Sequence, residues 1–333
     1  MKRATLIFNP RAGQLNIGPR LLPVVEFWQH RGWELEIVPT EKPGHATELA
    51  RRAAEDGVTL VMAAGGDGTL SQVANGLAGT ETILAPLPVG TANALARELR
   101  LPRPQLLDPK VPLLASEALF AGRIHQIDLN YVQSQSGSGY ALLWTGIGAD
   151  GFLVQQLEPR PTWSKRLGPI GYSIQALSVV HKLPAMRAAV KVDNQTFEGD
   201  LLLIVISNSR LYAGGLVELS SNALMDDGYM EVSLFRAGEV SSRIGTPRAG
   251  LMARYLTEIR LNLKLWDPGV VTLAGKQMIV ETQPKMPSHI DGEWAGYSPL
   301  VCEVQPQAIR LLVPDSAPQA LFRQPGEPLA AFV

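Results

Sequence analysis

The sequence predicts an α/β domain built on a parallel sheet, followed by an antiparallel β-sandwich domain. Strand-like and helix-like segments alternate in the first part of the chain, as in repeated β-α units. From about Arg123 onward, strand-like runs and turns replace this alternation. At 333 residues the chain is also long for a single hydrophobic core. We therefore expect an α/β domain over 1–128, a sandwich over 129–313, and a tail, 314–333, that is able to pack back on the first domain.

Four β-α units are expected in the first domain. The predicted strands are Ala4–Phe8, Trp33–Val38, Thr59–Ala64 and Thr82–Pro88, and the predicted helices are Pro19–His30, His45–Glu55, Leu70–Leu77 and Ala92–Leu99. Asn9, Thr40, Gly65 and Gly90 each follow one of these strands. Parallel sheets bind ligands at the carboxyl ends of their strands. We therefore expect these four turns to converge on one edge of the sheet.

The second domain is expected to be mainly β-structure. Its predicted strands are Ile124–Val132, Tyr140–Gly146, Ala188–Val192, Thr196–Ser207, Met230–Phe235, Glu258–Trp266, Met278–Thr282, Leu300–Val304 and Ile309–Val313. Asp193 and Asn194 separate two of these runs, as the residues of a hairpin turn would. Short strands that follow one another through turns indicate antiparallel pairing.

The composition excludes some classes of protein. There are 30 Lys and Arg residues against 31 Asp and Glu residues, for a formal net charge of -1. A nucleic-acid binder that relies on a broad basic surface is therefore not expected. The single cysteine, Cys302, cannot form an internal disulfide, and the first apolar run is too short for a signal-peptide core. Both observations favour a cytoplasmic location.

The turn Gly65-Gly66-Asp67-Gly68-Thr69 carries the most chemical information in the chain. Glycines at a strand-to-helix turn let the backbone approach a phosphate, and the helix N-terminus offers free N–H donors. An aspartate beside phosphates repels them unless a divalent cation lies between. The turn therefore predicts a site for a nucleotide with Mg²⁺.

Other interpretations of this turn are open. The stretch from Gly65 lacks the Gly-x-Gly-x-x-Gly spacing of dinucleotide folds, and it lacks the Gly-Lys-Ser/Thr of a Walker loop. Three glycines can also form a tight connection without any ligand. Asp67 and Thr69 within the same turn favour a functional role.

Several motifs, in their order along the chain, resemble the diacylglycerol kinase catalytic-domain family, which includes bacterial lipid kinases and the sphingosine and ceramide kinases. The motifs are Asn9-Pro10-Arg11-Ala12-Gly13, Gly65-Gly66-Asp67-Gly68-Thr69, Pro88-Val89-Gly90-Thr91-Ala92-Asn93, Ala223-Leu224-Met225-Asp226-Asp227-Gly228 and Asp291-Gly292-Glu293. The resemblance spans roughly Ala4 to Pro314. It implies a phosphofructokinase/NAD kinase-like α/β domain that binds ATP, a sandwich with a lipid pocket, and an active site between the two.

The resemblance also implies roles for single residues. Glu293 is expected to be the general base, with Asp67 in the catalytic centre. The expected nucleotide contacts are Asn9, Thr40, Gly65, Gly66, Asp67, Gly68, Thr69 and Thr91. A structural cation, Mg²⁺, is expected at Asp227 with the backbone carbonyls of Leu224 and Tyr229. Each of these motifs can also be a simple turn or helix cap.

One position departs from the family pattern. Where the family commonly has an aspartate after the Asn of its Gly-Thr-x-Asn motif, this chain has Ala94 after Asn93. The loss of a carboxylate weakens the expected Mg²⁺ network. Asp128 resembles another acid of the family. It is able either to contribute to Mg²⁺ binding or to be a residue at the end of a strand.

The expected function is that of an ATP-dependent lipid kinase that transfers the γ-phosphoryl group to a lipid hydroxyl. The alternatives are a non-catalytic nucleotide- or lipid-binding regulator and a NAD kinase-like phosphotransferase, since NAD kinases and phosphofructokinases share a related glycine turn. The expected partner is a lipid at a membrane surface, with peripheral attachment and a homodimer both open. A segment around 163–184, with Ile170, Ile174 and Leu177 at helical spacing, is able to touch such a surface or to cover a domain core.

Overall fold

The computed structural model describes residues 2–12, 17–90, 92–103, 110–157, 185–215, 217–237, 250–251, 254–255, 257 and 269–332. The chain forms two compact units. The first unit comprises Met1–Leu129, Leu224–Asp227 and Pro306–Val333, and the second comprises Asn130–Ala223 and Gly228–Gln305. The predicted domains, 1–128 and 129–313, stay a prediction. The units differ from them in giving Leu129, the short run Leu224–Asp227 and the stretch from Pro306 onward to the first unit.

The first unit is an α/β fold, as predicted. Its elements begin with β1 (Lys2–Phe8), α1 (Gly18–Gln29), β2 (Trp33–Pro39), α2 (His45–Glu55), β3 (Leu60–Gly65), α3 (Asp67–Leu77), β4 (Ile83–Pro88), α4 (Ala94–Glu98), α5 (Val111–Phe120) and β5 (Arg123–Ser134), the last of which continues into the second unit. The strands β4, β3, β1 and β2 lie side by side in that order and all run parallel.

The burial of the central strands explains why their residues are apolar. Every residue of β3 and β4 is buried, as is typical of parallel strands covered on both faces, and both strands are accordingly continuous apolar runs. The helix α2 buries its small residues Ala46, Ala50 and Ala53. A Cβ on Gly76 of α3 would overlap the backbone of α2 at Thr47, so the small residues of both helices allow close packing.

Two predicted helices of the first unit need correction. The helix α3 begins at Asp67 and not at Leu70, since Asp67, Gly68 and Thr69 already form its first turn. The predicted helix Ala92–Leu99 is shorter, at Ala94–Glu98, because Asn93 has a left-handed conformation with φ of 52°.

The second unit is an antiparallel β-sandwich, as predicted. After β5 its elements are β6 (Gly137–Ala141), β7 (Trp144–Gly148), α6 (Ala149–Leu157), β8 (Met186–Val192), β9 (Gln195–Ser207), β10 (Leu211–Tyr212), β11 (Val217–Glu218), β12 (Met230–Arg236), β13 (Val270–Gly275), β14 (Gln277–Gln283), β15 (Pro287–Ile290), β16 (Glu293–Tyr297) and β17 (Leu300–Val313). The end of β17 belongs to the first unit, where Arg310 and Leu311 pair in parallel with β4.

The core of the sandwich is apolar and includes the only cysteine. Alternating residues of β8 are buried, and Val190 and Val192 pack there with Ile204, Val232 and Cys302. Burial raises the pKa of the Cys302 thiol, which therefore stays protonated at neutral pH and acts as a small apolar side chain.

Several strand predictions differ from the structure. The predicted strand Tyr140–Gly146 is two strands, β6 and β7, because the backbone turns at Leu142 and Leu143. The predicted strands Leu300–Val304 and Ile309–Val313 are one strand, β17. The hairpin turn at Asp193 and Asn194 is confirmed between β8 and β9. The predicted strand Glu258–Trp266 lies outside the described residues.

The C-terminal tail packs within the first unit and holds the run Leu224–Asp227. The backbone N–H of Met225 donates to the carbonyl of Leu321 at 2.9 Å. The carboxylate of Asp226 accepts hydrogen bonds from the backbone N–H groups of Arg323 and Gln324, at 2.5 and 2.8 Å. A short strand, β18 (Glu327–Pro328), then pairs with β5. The tail therefore fixes the backbone just before Asp227.

Candidate active site

The four turns at the carboxyl ends of the strands lie side by side, as expected for a parallel sheet. The N–H of Thr40 donates to the carbonyl of Phe8 at 2.8 Å, and the N–H of Asn9 donates to that of Ala64 at 3.1 Å. The last residues of β3 and β4, Gly65 and Pro88, are paired. One edge of the first unit therefore carries all four turns.

Two of these turns approach each other backbone to backbone. The N–H groups of Val89 and Gly90 both donate to the carbonyl of Gly65, at 3.0 and 3.1 Å. A Cβ on Gly90 would overlap the backbone of Gly66, and a Cβ on Gly65 would overlap the side chain of Thr69. Both positions therefore require glycine, and the closeness leaves backbone groups instead of side chains at the surface of this edge.

The N-terminus of α3 lies in the first of these turns. Gly66 precedes the helix in an extended conformation and, as a glycine, has no side chain that could cap the first turn. Asp67 and Gly68 are partly exposed there, while Thr69 is buried. A shallow concavity at this edge is lined by Gly66, Asp67 and Asn93, among other residues. A helix N-terminus at a partly exposed edge is suited to an anion.

Asp67 links this turn to the next one. Its Oδ1 accepts a hydrogen bond from the backbone N–H of Ala94 at 2.7 Å. Asn93, directly before Ala94, donates from its side-chain amide to the carbonyl of Gly90 at 2.7 Å. Although position 94 lacks a carboxylate, its backbone N–H orients Asp67. Sequence reasoning treated Ala94 only as a loss, because a backbone contact leaves no signal in the residue type.

The remaining predicted nucleotide residues differ in what they contact. The side-chain oxygen of Asn9 accepts the N–H of Arg11 at 2.9 Å, so this residue forms the local turn that was one interpretation of the motif. Thr40 is partly exposed at the same edge. Thr91 lies outside the described residues. The assignment of these residues to nucleotide binding stays a prediction.

Asp128 is an acceptor for backbone groups. It is fully buried, and its Oδ1 accepts the N–H of Gln307 at 2.8 Å. Its own N–H donates to the carbonyl of Met225 at 2.7 Å. This structural role accounts for a buried aspartate at the position, and a part in metal binding stays a prediction.

In the second unit, the motif Asp291-Gly292-Glu293 forms a tight hairpin. Asp291 and Gly292 connect β15 to β16 and have φ of 48° and 85°, as both central residues of a type I′ turn do. The hairpin places Glu293 at the first position of β16, where it is exposed. The candidate base therefore stands at the end of a rigid two-residue turn.

The first acid of that motif is structural. Asp291 is buried, and its carboxylate accepts three backbone hydrogen bonds, from Leu142, Leu143 and Trp144, at 2.8 to 3.0 Å. These N–H groups belong to the bend between β6 and β7. Asp291 thus ties the hairpin to that bend, and the bend exists because the carboxylate satisfies donors that a continuous strand would pair differently.

We expect Asp291→Ala to lower the free energy of unfolding by several kcal/mol, since each buried N–H left without an acceptor costs roughly 1–3 kcal/mol. Urea denaturation of the parent and the variant measures this difference. The matched control is Asp315→Ala, at an exposed position of the tail. Equal stability of the Asp291 variant and the control would show that the carboxylate does not hold the bend.

A buried network lies directly against this hairpin. Nε2 of His289 and Oδ2 of Asp150 are 2.7 Å apart, and the hydroxyl of Tyr212 donates to the same carboxylate oxygen. Nδ1 of His289 accepts the backbone N–H of Gly292 at 3.1 Å. The side chain of His289 is 1 % exposed and that of Asp150 is 17 % exposed. The network joins the start of α6 to the turn before Glu293.

The environment lowers the pKa of the Asp150 carboxyl from its ordinary value. Burial opposes ionisation, but the electrostatic interaction with His289 and the hydrogen bonds from His289 and Tyr212 outweigh it. A carboxyl whose pKa is lower in the folded state stabilises the fold above its unfolded pKa. That contribution is lost as the pH falls through the folded pKa.

Sequence reasoning missed both Asp150 and His289. The available signal was the cluster of glycines around Asp150, at positions 146, 148 and 151. A Cβ on Gly146 would overlap His289 and approach Asp150, and a Cβ on Gly151 would overlap the backbone of Pro287. The glycines therefore mark the close approach of α6 to β15.

The predicted cation site has no supporting cluster of side chains among the described residues. Within the part of the chain that the structure describes, no group of three or more His, Cys, Asp or Glu side chains is placed to hold a metal ion. Leu224 and Asp227 belong to the first unit, and Tyr229 belongs to the second. The cation at Asp227 stays a prediction.

Comparisons with known proteins match both parts of this architecture. The family model of the diacylglycerol kinase catalytic domain matches residues 3–132, and that of the YegS C-terminal NAD kinase beta sandwich-like domain matches residues 147–313. The diacylglycerol kinase of Bacillus subtilis is 26% identical over 302 residues, which cover 90% of this chain and 92% of the relative. The diacylglycerol kinase of Staphylococcus saprophyticus is 27% identical over the same length, with 90% and 91% covered.

Solved structures share the fold. A crystal structure of a diacylglycerol kinase from Bacillus anthracis has a TM-score of 0.66 at 20% identity, covering 95% of this chain and 98% of that one. A further Bacillus anthracis structure, described as a candidate diacylglycerol kinase, has a TM-score of 0.73 at 23% identity, covering 95% and 99%.

An α/β unit of the diacylglycerol kinase catalytic type, joined to a β-sandwich of the NAD kinase type, places the chain among the lipid-phosphorylating transferases. The chain belongs to the diacylglycerol kinase catalytic-domain family, and it is an enzyme, a lipid kinase. No helix among the described residues is both long and apolar enough to cross a bilayer.

Proposed function

We propose that this enzyme transfers the γ-phosphoryl group of ATP to the hydroxyl of a lipid of the diacylglycerol or sphingoid type. The observation that carries the proposal is the edge formed by Gly65, Gly66 and Gly90, where the backbones of two turns meet at the partly exposed N-terminus of α3, a position suited to an anion. The curated relatives named diacylglycerol kinase support a lipid acceptor.

The residues present fit a nucleotide bound with Mg²⁺. Side chains at Gly65 and Gly90 would clash with Thr69 and with the backbone of Gly66, so the edge presents backbone at the N-terminus of α3, as phosphate sites do. Asp67 is held beside this surface by the N–H of Ala94. Mg²⁺ in kinases is usually bound by one or two carboxylates together with substrate phosphates. The absence of a larger carboxylate cluster among the described residues therefore agrees with a cation that arrives with ATP.

In this proposal Mg²⁺ neutralises charge that develops on the transferred phosphoryl group. Asp67 would hold the cation, and the first turn of α3 would orient the phosphates. Glu293 would accept the proton of the acceptor hydroxyl as the new P–O bond forms. The exposed position of Glu293 on a rigid hairpin suits a group that must meet an incoming substrate.

The decisive experiment is a screen of radiolabelled ATP against vesicles that contain diacylglycerol, a sphingoid base, ceramide or phosphatidylglycerol. We expect label to enter one hydroxyl lipid and ATP turnover to depend on that lipid. The vesicles also test the proposed contact with a membrane surface from the cytoplasmic side. ATP or lipid binding without turnover would favour the non-catalytic alternative, and label in NAD, added as a fifth acceptor, would favour the NAD kinase-like one.

We further propose that Asp227, with the carbonyls of Leu224 and Tyr229, binds a structural Mg²⁺. The tail fixes the backbone before Asp227 through the hydrogen bonds to Asp226, so a cation there would have a defined support. We expect a chelator to lower the midpoint of thermal unfolding and Asp227→Ala to remove that response. An equal chelator effect in the variant would place the metal elsewhere.

A further inference from the structure

His289 connects the hairpin of the candidate base to the interior of the second unit. Both of its ring nitrogens are engaged, Nδ1 by the N–H of Gly292 at 3.1 Å and Nε2 by the carboxylate of Asp150 at 2.7 Å. A neutral imidazole has one donor and one acceptor nitrogen. Since Nδ1 must accept from a backbone N–H, the proton lies on Nε2 and is donated to Asp150. The contacts therefore define one tautomer and one ring orientation.

Asp150 is itself held in place from a second direction. The hydroxyl of Tyr212 donates to the same carboxylate oxygen that His289 contacts. Asp150 also lies in the first turn of α6, where a negative charge interacts favourably with the helix dipole. The missing side chain at Gly146 makes room for Asp150 and for the ring of His289. The carboxylate is therefore a fixed anchor for the imidazole.

We propose that His289, oriented by Asp150, is a positioning residue that holds Gly292 and thereby the carboxylate of Glu293 in the geometry for proton acceptance. This inference rests on the proposed function of Glu293. His289 is not a candidate for the base itself, since it is buried and both nitrogens already have partners.

Because the hairpin has a second anchor, a role of His289 in positioning Glu293 can be separated from a role in holding the hairpin folded. Asp291 ties the turn to the bend at 142–144 through its carboxylate, and it does so without His289. Loss of the bond between His289 and Gly292 should therefore leave the hairpin folded while it loosens the peptide directly before Glu293. Small displacements of a catalytic group, of about 1 Å, lower rates by roughly a hundredfold.

Two substitutions test the contacts of the two ring nitrogens of His289 separately. The amide of Asn reaches the position of Nδ1, so His289→Asn keeps an acceptor for Gly292 and loses the contact with Asp150. The amide of Gln reaches the position of Nε2, so His289→Gln keeps the contact with Asp150 and loses the acceptor. We expect His289→Gln to lower the single-turnover rate by roughly ten- to a hundredfold, with the KM for ATP unchanged, and His289→Asn to lower it less.

A double-mutant cycle with Glu293→Gln tests whether His289 acts through Glu293. If it does, His289→Gln slows the parent enzyme but has little further effect once the carboxylate of Glu293 is absent. The same fold-decrease in both backgrounds would overturn the proposal, because His289 would then act elsewhere. Parent rates in His289→Gln would also overturn it.

A second measurement does not depend on activity. Hydrogen exchange at the backbone amide of Gly292, followed by NMR, should be faster in His289→Gln than in the parent and close to the parent in His289→Asn. Equal exchange in all three proteins would overturn the proposal. If no lipid is phosphorylated but the exchange pattern is as expected, the proposed function fails while the positioning of the hairpin stands.

Discussion

Asp67→Ala is expected to abolish detectable phosphoryl transfer while the protein stays folded. The carboxylate lies partly exposed at the first turn of α3, beside the backbone surface that Gly66 and Gly90 form. A cation held there stabilises charge on the transferred group by several kcal/mol, and each 1.36 kcal/mol corresponds to about a factor of ten in rate. The loss should therefore exceed roughly a thousandfold.

The structural cost of this substitution should be small. The substitution removes the hydrogen bond that the N–H of Ala94 donates to Asp67, which is worth about 1 kcal/mol. Single-turnover kinetics at saturating Mg²⁺ and thermal unfolding measure the two effects separately. Asp56→Ala, at an exposed position after α2, is the matched control.

A second variant, Asp67→Asn, distinguishes the charge of Asp67 from its hydrogen bond. It retains an oxygen that can accept the N–H of Ala94 but removes the negative charge. If Asp67 holds a cation, the Asn variant should be nearly as slow as the Ala variant. Near-parent turnover in Asp67→Asn would mean that Asp67 only positions the turn at Ala94, and near-parent turnover in both would remove Asp67 from the catalytic centre.

The local pattern of the chain was sufficient to predict the fold of the first unit and the place of its turns. The hydrophobic periods of strands and helices can be recognised from neighbouring residues. The parallel topology that follows from them brings Asn9, Thr40, Gly65 and Gly90 to one edge. The start of α3 was predicted three residues late, because Gly68 and Thr69 have low helix propensity and resemble turn residues.

Long-range contacts explain what sequence reasoning missed. Leu142 and Leu143 resemble the middle of a strand, yet the chain bends there because Asp291, distant in sequence, accepts their N–H groups. Likewise His289 meets Asp150 only after α6 and β15 have packed. Such partners have no fixed spacing along the chain, and residue type alone does not identify either of the two residues in contact.

Glu293→Gln is expected to leave ATP binding intact while it slows transfer by roughly a hundred- to ten-thousandfold, as expected for the loss of a general base. Gln keeps the shape and hydrogen-bonding capacity of the side chain but is not basic. The hairpin should persist, since its conformation depends on Asp291 and Gly292 and not on the side chain that follows them.

The measurement must separate proton acceptance from metal binding, because position 94 carries no carboxylate. Single-turnover transfer at saturating Mg²⁺ and ATP isolates the chemical step. Glu281→Gln, an exposed glutamate on β14, is the matched control and should transfer at the parent rate. If Glu293→Gln does the same, this carboxylate is not the base, and the hairpin that Asp291 and His289 hold serves the fold alone.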